Sequence, residues 1–173
     1  DDFGGKLLGK PIELLSADHQ NKADIASTKS REWVDTQGVQ LLIAGTNTAT
    51  ALAMGQVANE KKRVLLINGA YSSGITGASC SPYWVHYNSD TTAIARGTGK
   101  AVAEQGGKSW ALLVADYTFG HTLENDITKV ITANGGQVLK SVRADVFAAD
   151  GLTVGLHHWQ RRSVHFAQHV QLV

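Results

Sequence analysis

The chain has 173 residues, enough for one domain or two small ones, and 43% of them are hydrophobic, a fraction that supports a folded core. Its formal net charge of +1 gives no electrostatic reason to expect nucleic acid or an anionic membrane surface as a partner. No apolar run approaches the roughly 20 residues of a membrane helix, so the chain is not expected to span a membrane itself.

Strands and helices are predicted to alternate along the sequence. The hydrophobic pattern predicts strands at residues 11–17, 39–44, 63–68, 84–88, 109–115 and 137–142. It predicts helices at residues 22–36, 48–61, 91–105 and 121–134. Glycines follow the first and last of these helices, as is common at helix C-termini. Repeated strand–helix–strand units favour the α/β class, with parallel sheets flanked by helices.

A boundary between two parts of the chain is placed near residues 87–90. The units before it end in a stretch rich in glycine and serine, residues 72–81. After it a helix and a strand begin, as though a second sheet started there. On periodicity alone, one continuous sheet is an equally good interpretation.

Two glycine-led loops are the most informative feature of the sequence. Residues 45–50 (GTNTAT) and 69–73 (GAYSS) each follow an apolar, strand-like run, and the first leads directly into a helix. Ligands of open α/β sheets bind at the carboxyl ends of the strands. A helix N-terminus there favours a carboxylate or a phosphate. The loops therefore predict capture of a small anionic or zwitterionic molecule.

Four segments carry a resemblance to a known family. They are IAGTNTATALA, INGAYSSGITGASCSPY, AVAEQGGKSWALLVADYTFG and ITANGGQVL, and their order and spacing hold from about residue 1 to residue 142. The chain resembles the branched-chain amino acid type of periplasmic substrate-binding protein, with a type I periplasmic-binding-protein fold. It is most similar to the branch reported to carry aromatic acids and related small carboxylates as well as amino acids.

The resemblance implies two α/β lobes that close over a ligand. Residues 1–90 would form the first lobe, residues 91–145 the start of the second, and residues 146–173 an atypical tail. The family implies a periplasmic protein that delivers a small carboxylate, such as a branched-chain or aromatic amino acid or an aromatic acid, to the membrane subunits of an ABC importer. It implies no cofactor and no catalysis.

Seven ligand-binding positions follow from the resemblance. They lie in the two loops and after a strand of the second lobe: Thr46, Asn47, Thr48, Ala70, Tyr71, Ser72 and Phe119. Hydroxyl and N–H groups bind a carboxylate through charge-assisted hydrogen bonds. An aromatic wall excludes water and selects an apolar group. Helix capping is the alternative role for the loop residues, and core packing is the alternative role for Phe119.

The sequence also departs from the family pattern. The family's first strand would precede Asp1, most of the second lobe is lacking, and the resemblance ends near Asp145. We therefore expect an incomplete fold, weak or absent ligand binding, and self-association through an open sheet edge. A shifted reading frame or a fused gene is one hypothesis for the tail. Absence of a family-like continuation in all three frames of the encoding DNA would rule it out.

No catalytic or metal-binding constellation is visible in the sequence. Residues 105–109 (QGGKS) lack the earlier glycine of a P-loop, and no Gly-x-Ser-x-Gly elbow is present. Cys80 has no identified base beside it, so an incidental thiol is the preferred interpretation. Four tail histidines raise a metal-site hypothesis, but alternation over residues 164–172 favours a strand with solvent-facing histidines. These are His157, His158, His165 and His169.

The sequence therefore predicts a non-enzymatic module that binds a small carboxylate for import. Two alternatives remain: a ligand sensor or receptor domain of the same fold, and an α/β enzyme whose catalytic segments are not in this chain. A signal peptide in the full gene would favour transport. A fused transmembrane or kinase segment would favour sensing, and measurable turnover would favour an enzyme.

Overall fold

A computed structural model describes residues 4–145 and the backbone of residues 170–172. Two short strands come first, and after them helices alternate with strands along most of the chain. In chain order the elements are β1 (Lys6–Leu7), β2 (Lys10–Pro11), α1 (Ala23–Thr36), β3 (Leu41–Ala44), α2 (Thr48–Lys61), β4 (Val64–Ile67), β5 (Trp84–His86), α3 (Thr91–Glu104), β6 (Ser109–Ala115), α4 (Thr118–Ala133), β7 (Gln137–Ala144) and β8 (Val170–Leu172).

The described strands form two separate parallel sheets and one small antiparallel pair. The first sheet has the order β3-β4-β5, the second has the order β7-β6-β8, and β1 pairs with β2. In the first sheet Leu65 lies between Leu42 and Trp84. Helices α1 and α2 pack together, and α2 contacts β3 and β4, whereas α4 contacts β6, β7 and α3. The predicted α/β class, with parallel sheets flanked by helices, is confirmed.

Each sheet has its own hydrophobic cluster. The first joins Leu42, Leu65 and Ile67 to small apolar side chains of α2. The second surrounds Trp110, which is fully buried, and includes Ile127. The lobe limits at residues 90 and 145 stay predictions.

A glycine lets α4 begin close to the end of β6. A side chain at Gly120 would overlap the carbonyl oxygen of Ala115, which is backbone and cannot move aside. The chain therefore turns from strand to helix within a few residues. This sharp turn places residues 116–119 at the carboxyl end of the second sheet.

Three predictions about the elements need correction. The strand expected at residues 11–17 is wrong, because only Lys10–Pro11 pairs, with β1, and Ile12 and Leu14 are exposed. The buried strand at residues 39–44 is buried on one face only, since Leu41 and Ile43 do not join the cluster. Helix α4 begins at Thr118, three residues earlier than the apolar period predicts.

The tail is described only at its end. Residues 170–172 form β8, which pairs parallel with β6. This pairing agrees with the strand expected from the alternation over residues 164–172. The four tail histidines lie outside the described residues.

Candidate functional site

The first loop ends in a capped helix. The side-chain oxygen of Asn47 accepts hydrogen bonds from the backbone N–H groups of Ala49 (2.8 Å) and Thr50 (3.2 Å). The Thr50 hydroxyl donates to the Asn47 carbonyl oxygen at 2.9 Å. Asn47 is therefore the N-cap of α2, a role for which asparagine is among the preferred residues.

Thr48 has a buried hydroxyl with no partner in the described part of the chain. Its side chain is 1% exposed, and no hydrogen bond to Oγ1 is found within the described part of the chain. A buried polar group without a partner costs free energy, which a ligand that supplies the missing bond recovers. Thr48 is the first residue of α2, where the helix dipole favours an anion.

The second loop is tied to its surroundings by its backbone and by Ser72. The carbonyl oxygen of Ala70 accepts a 2.6 Å hydrogen bond from Nε2 of His86. Ser72, which is buried, donates to the Thr122 hydroxyl at 3.0 Å and accepts from the Gly74 N–H at 3.2 Å. Thr122 belongs to α4, so this serine joins the first sheet's loop to the second sheet's helix.

Three aromatic rings meet between the two sheets. The Tyr71 and Phe119 rings are edge-to-face, with centroids 6.1 Å apart. The Tyr117 and Phe119 rings are tilted, with centroids 5.9 Å apart. Burial raises the pKa of the Tyr117 phenol above its ordinary value, so the phenol is protonated at neutral pH and is able to donate a hydrogen bond.

These groups line one small cavity. Its volume is about 190 Å³, and its walls are Thr46, Thr48, Tyr71, Tyr117 and Phe119. Drug-sized ligands occupy pockets of roughly 300–1,000 Å³, so this cavity suits a molecule with a single ring. None of the five lining side chains carries a formal charge at neutral pH, so an anion there would be held by neutral donors and the helix dipole.

Four of the seven predicted residues line the cavity, and the other three do not. Asn47, Ala70 and Ser72 are buried within the loops. Asn47 caps α2, the Ala70 carbonyl oxygen accepts a hydrogen bond from His86, and the Ser72 hydroxyl donates to Thr122 of α4. Tyr117 was not singled out from the sequence. It lies two residues before Phe119, and the sharp turn at Gly120 brings both rings to the same wall. That spacing in a strand–helix turn was the signal available for finding it. The ligand-binding roles themselves stay predictions.

A second cavity, of about 260 Å³, lies beside α1. Its walls include Leu14, Trp33 and Met54, together with His19 and the buried Ser30, and none of the seven predicted residues contributes. It is larger than the cavity between the sheets and has polar residues of its own, Ser16, His19, Lys29 and Ser30. It therefore serves as the natural comparison site in the experiments below.

Within the described residues, no group of three or more histidine, cysteine or acidic side chains is placed to hold a metal ion. Cys80 is a free, exposed thiol. Among the helices that the structure describes, none has both the length and the apolar character that a membrane crossing requires.

The fold and the cavity together define a class of protein. Two parallel sheets present their carboxyl-terminal loops to one small cavity, an arrangement typical of ligand-binding proteins. The chain belongs to the periplasmic binding protein family, which matches residues 1–152. The predicted resemblance is therefore confirmed.

Individual relatives agree with this assignment. A Leu/Ile/Val-binding protein homolog from Brucella abortus is 26% identical over 151 residues, which are 86% of this chain and 38% of the relative. A periplasmic binding protein of known structure from Burkholderia mallei is 54% identical, with a TM-score of 0.87. The matched region is 92% of this chain and 42% of the Burkholderia chain. A third relative is a solute-binding protein of an ABC transporter from Rhodopseudomonas palustris, whose structure was solved in complex with 3,4-dihydroxybenzoic acid. It is 25% identical with a TM-score of 0.76, and the matched region is 83% of this chain and 39% of the Rhodopseudomonas chain. The chain thus spans less than half the length of each.

Proposed function

We propose that this protein binds a small carboxylate in the cavity between its two sheets and, in the periplasm, presents it to the membrane subunits of an ABC importer. The observation that carries the proposal is Thr48, which lines the same cavity as three aromatic rings and whose buried hydroxyl has no partner in the described chain. The mechanism is reversible binding, with no chemical step.

The cavity is lined by two threonines and three aromatic residues. Thr46 and Thr48 lie where α2 begins, so a ligand carboxylate would accept hydrogen bonds there and gain from the helix dipole. Tyr71, Tyr117 and Phe119 add aromatic rings to the same lining, where burial of an apolar group is favourable. A molecule with a carboxylate and a flat apolar body matches both kinds of residue.

Among small carboxylates, we propose an aromatic acid ahead of an amino acid. Burying an ammonium group without an acidic partner is costly, and none of the five lining residues is acidic. The relative from Rhodopseudomonas palustris binds 3,4-dihydroxybenzoic acid, which supports this order. The name of the Brucella relative points to leucine, isoleucine or valine, so branched-chain amino acids are the competing ligands.

The residues that line the cavity come from both sheets, which supports closure of two lobes over the ligand. Thr46, Thr48 and Tyr71 leave the first sheet, whereas Tyr117 and Phe119 leave the second. A ligand that contacts both sets stabilises the closed arrangement over the open one. The chain spans less than half the length of these relatives, and the weak binding expected from the sequence stays a prediction.

Calorimetric titration with a panel of ligands tests the proposal. The panel contains benzoate, 4-hydroxybenzoate, phenylpyruvate, phenylalanine, leucine and valine, with benzyl alcohol as a control that keeps the ring and lacks the carboxylate. We expect saturable heats from benzoate and 4-hydroxybenzoate, weaker binding of leucine and valine, and none of benzyl alcohol. No saturable heat from a folded sample would contradict carboxylate binding, and tighter binding of leucine than of benzoate would contradict the aromatic preference.

A second copy of the chain is a further proposed partner. Strand β3 is an edge of its sheet among the described strands, and Leu41 and Ile43 on it are exposed. Edge strands with free backbone groups and apolar side chains favour pairing with another chain. Sedimentation velocity should therefore give a coefficient that rises with concentration, and that Ile43→Lys reduces. A single monomer boundary at the highest concentration would argue against the association.

A further inference from the structure

We infer that Asp126, a carboxylate outside the cavity, is a positioning residue that holds the second loop and its Tyr71 ring in place. The inference concerns the wall of the cavity described above, and its consequence for ligand affinity rests on the proposed function.

Asp126 is the acceptor of three hydroxyl groups. It lies in α4, is 8% exposed, and its Oδ2 accepts from Thr91 Oγ1 at 2.6 Å, Ser73 Oγ at 2.8 Å and Thr92 Oγ1 at 3.3 Å. The Lys129 ammonium is 3.8 Å from Oδ1 and 79% exposed, so this ion pair contributes little to the stabilisation of the carboxylate. Hydrogen bonds to a carboxylate are short and strong, and here they offset the cost of its burial.

Thr91 connects Asp126 to the second loop through hydrogen bonds. It is fully buried, and its backbone N–H donates to the Tyr71 carbonyl oxygen at 2.7 Å. Its hydroxyl, whose proton points to Asp126, accepts from the Ser73 N–H at 3.0 Å. One hydroxyl has one proton and two lone pairs, so the carboxylate fixes the rotamer in which Thr91 is able to accept from Ser73.

The loop is thereby clamped on both sides of Ser72. Tyr71 is held through its carbonyl oxygen, and Ser73 is held through its N–H and its hydroxyl. The Tyr71 ring then meets Phe119 edge-to-face. Asp126 does not line the cavity, so it would influence the ligand only through the position of this ring.

Fluorine NMR of protein labelled with 3-fluorotyrosine tests the clamp directly. The Tyr71 signal is assigned by Tyr71→Phe, and Tyr83 reports on a distant part of the first sheet. We expect Asp126→Ala to shift or broaden the Tyr71 signal and to leave the Tyr83 signal unchanged. Asp126→Asn keeps one acceptor oxygen and should give a smaller change in the same direction.

Glu124→Gln is the matched control on the same helix. Burial alone would raise the pKa of the Glu124 carboxyl, but hydrogen bonds from Ser141 and Arg143 lower it below its ordinary value. Both partners belong to β7, so the hydrogen bonds that this carboxylate makes within the described residues do not reach the loop of the first sheet. We expect Glu124→Gln to leave the Tyr71 signal in place.

Ser73→Ala serves if Asp126→Ala does not fold, because it removes one bond of the clamp and keeps the carboxylate. It should also move the Tyr71 signal. An unchanged Tyr71 signal in Ser73→Ala and Asp126→Ala, or equal changes at Tyr71 and Tyr83, would overturn the inference.

Ligand affinity provides the second readout. With benzoate as the probe, Asp126→Ala should weaken binding by roughly 5- to 10-fold, at the lower end of couplings between separate sites, whereas Glu124→Gln should not. Benzoate binding of equal strength in Asp126→Ala and wild type would contradict the functional part. If the wild type binds no member of the panel, the proposed function fails, and the fluorine signals still decide whether Asp126 positions Tyr71.

Discussion

Replacing Trp110 by alanine is expected to lower the free energy of unfolding by about 3–5 kcal/mol, the range for large-to-small changes of buried aromatic residues. Trp110 is fully buried at the centre of the second hydrophobic cluster, and its indole N–H donates to the Gly107 carbonyl oxygen at 3.1 Å. The substitution removes apolar contacts, leaves a cavity and frees that carbonyl oxygen. Equilibrium unfolding in urea, followed by circular dichroism, measures the loss.

Trp110→Phe separates packing from hydrogen bonding. Phenylalanine keeps most of the ring volume and loses the N–H, so the expected loss is smaller, dominated by a hydrogen bond worth about 1 kcal/mol and the small change in volume. Unfolding free energies of Trp110→Ala and Trp110→Phe that both equal the wild-type value would show that the second sheet does not depend on this side chain, contrary to its burial.

Replacing Thr48 by valine is expected to weaken benzoate binding by about 10- to 100-fold while leaving the protein as stable as before, or more so. A hydrogen bond to a charged group contributes about 1.5–3 kcal/mol, and about 1.4 kcal/mol corresponds to a factor of ten. Because the Thr48 hydroxyl is buried without a partner in the described chain, its removal from the free protein relieves an unmet hydrogen bond. Calorimetric titration and thermal unfolding measure the two effects.

Thr50→Val is the matched control, two residues along the same helix. Thr50 is equally buried, but its hydroxyl already donates to the Asn47 carbonyl oxygen, and it does not line the cavity. It should lose about 1 kcal/mol of stability and keep the wild-type affinity. If Thr48→Val binds benzoate as the wild type does, the carboxylate is not held by this hydroxyl.

Local patterns in the sequence were sufficient for most of the elements. Local composition and apolar runs predict α2 and β6 with their bounds, Thr48–Lys61 and Ser109–Ala115. They fail at residues 11–17, where the apolar side chains have no described sheet neighbour to pair with. A strand forms only when a partner supplies its hydrogen bonds, and a local pattern contains no information about that partner.

The sequence predicts the part of the candidate site whose residues come after the ends of strands. Thr46, Thr48 and Tyr71 lie directly after β3 and β4, so the sequence places them at one edge of the sheet. Tyr117 was missed because its approach to Phe119 depends on the close turn at Gly120.

The clamp on the second loop could not be predicted from the sequence. Ser73 and Asp126 are 53 residues apart along the chain, and no local periodicity relates residues at such a separation. Only the packing of α4 against the first sheet's loop brings them together.

The most direct test of the account is the nuclear Overhauser effect between the ring protons of bound benzoate and the isotope-labelled protein. The account predicts contacts with the rings of Tyr71, Tyr117 and Phe119 and with the methyl group of Thr48, which together line the cavity between the sheets. Contacts confined to Trp33 and Met54, in the second cavity beside α1, would contradict it, as would the absence of any contact at saturating benzoate.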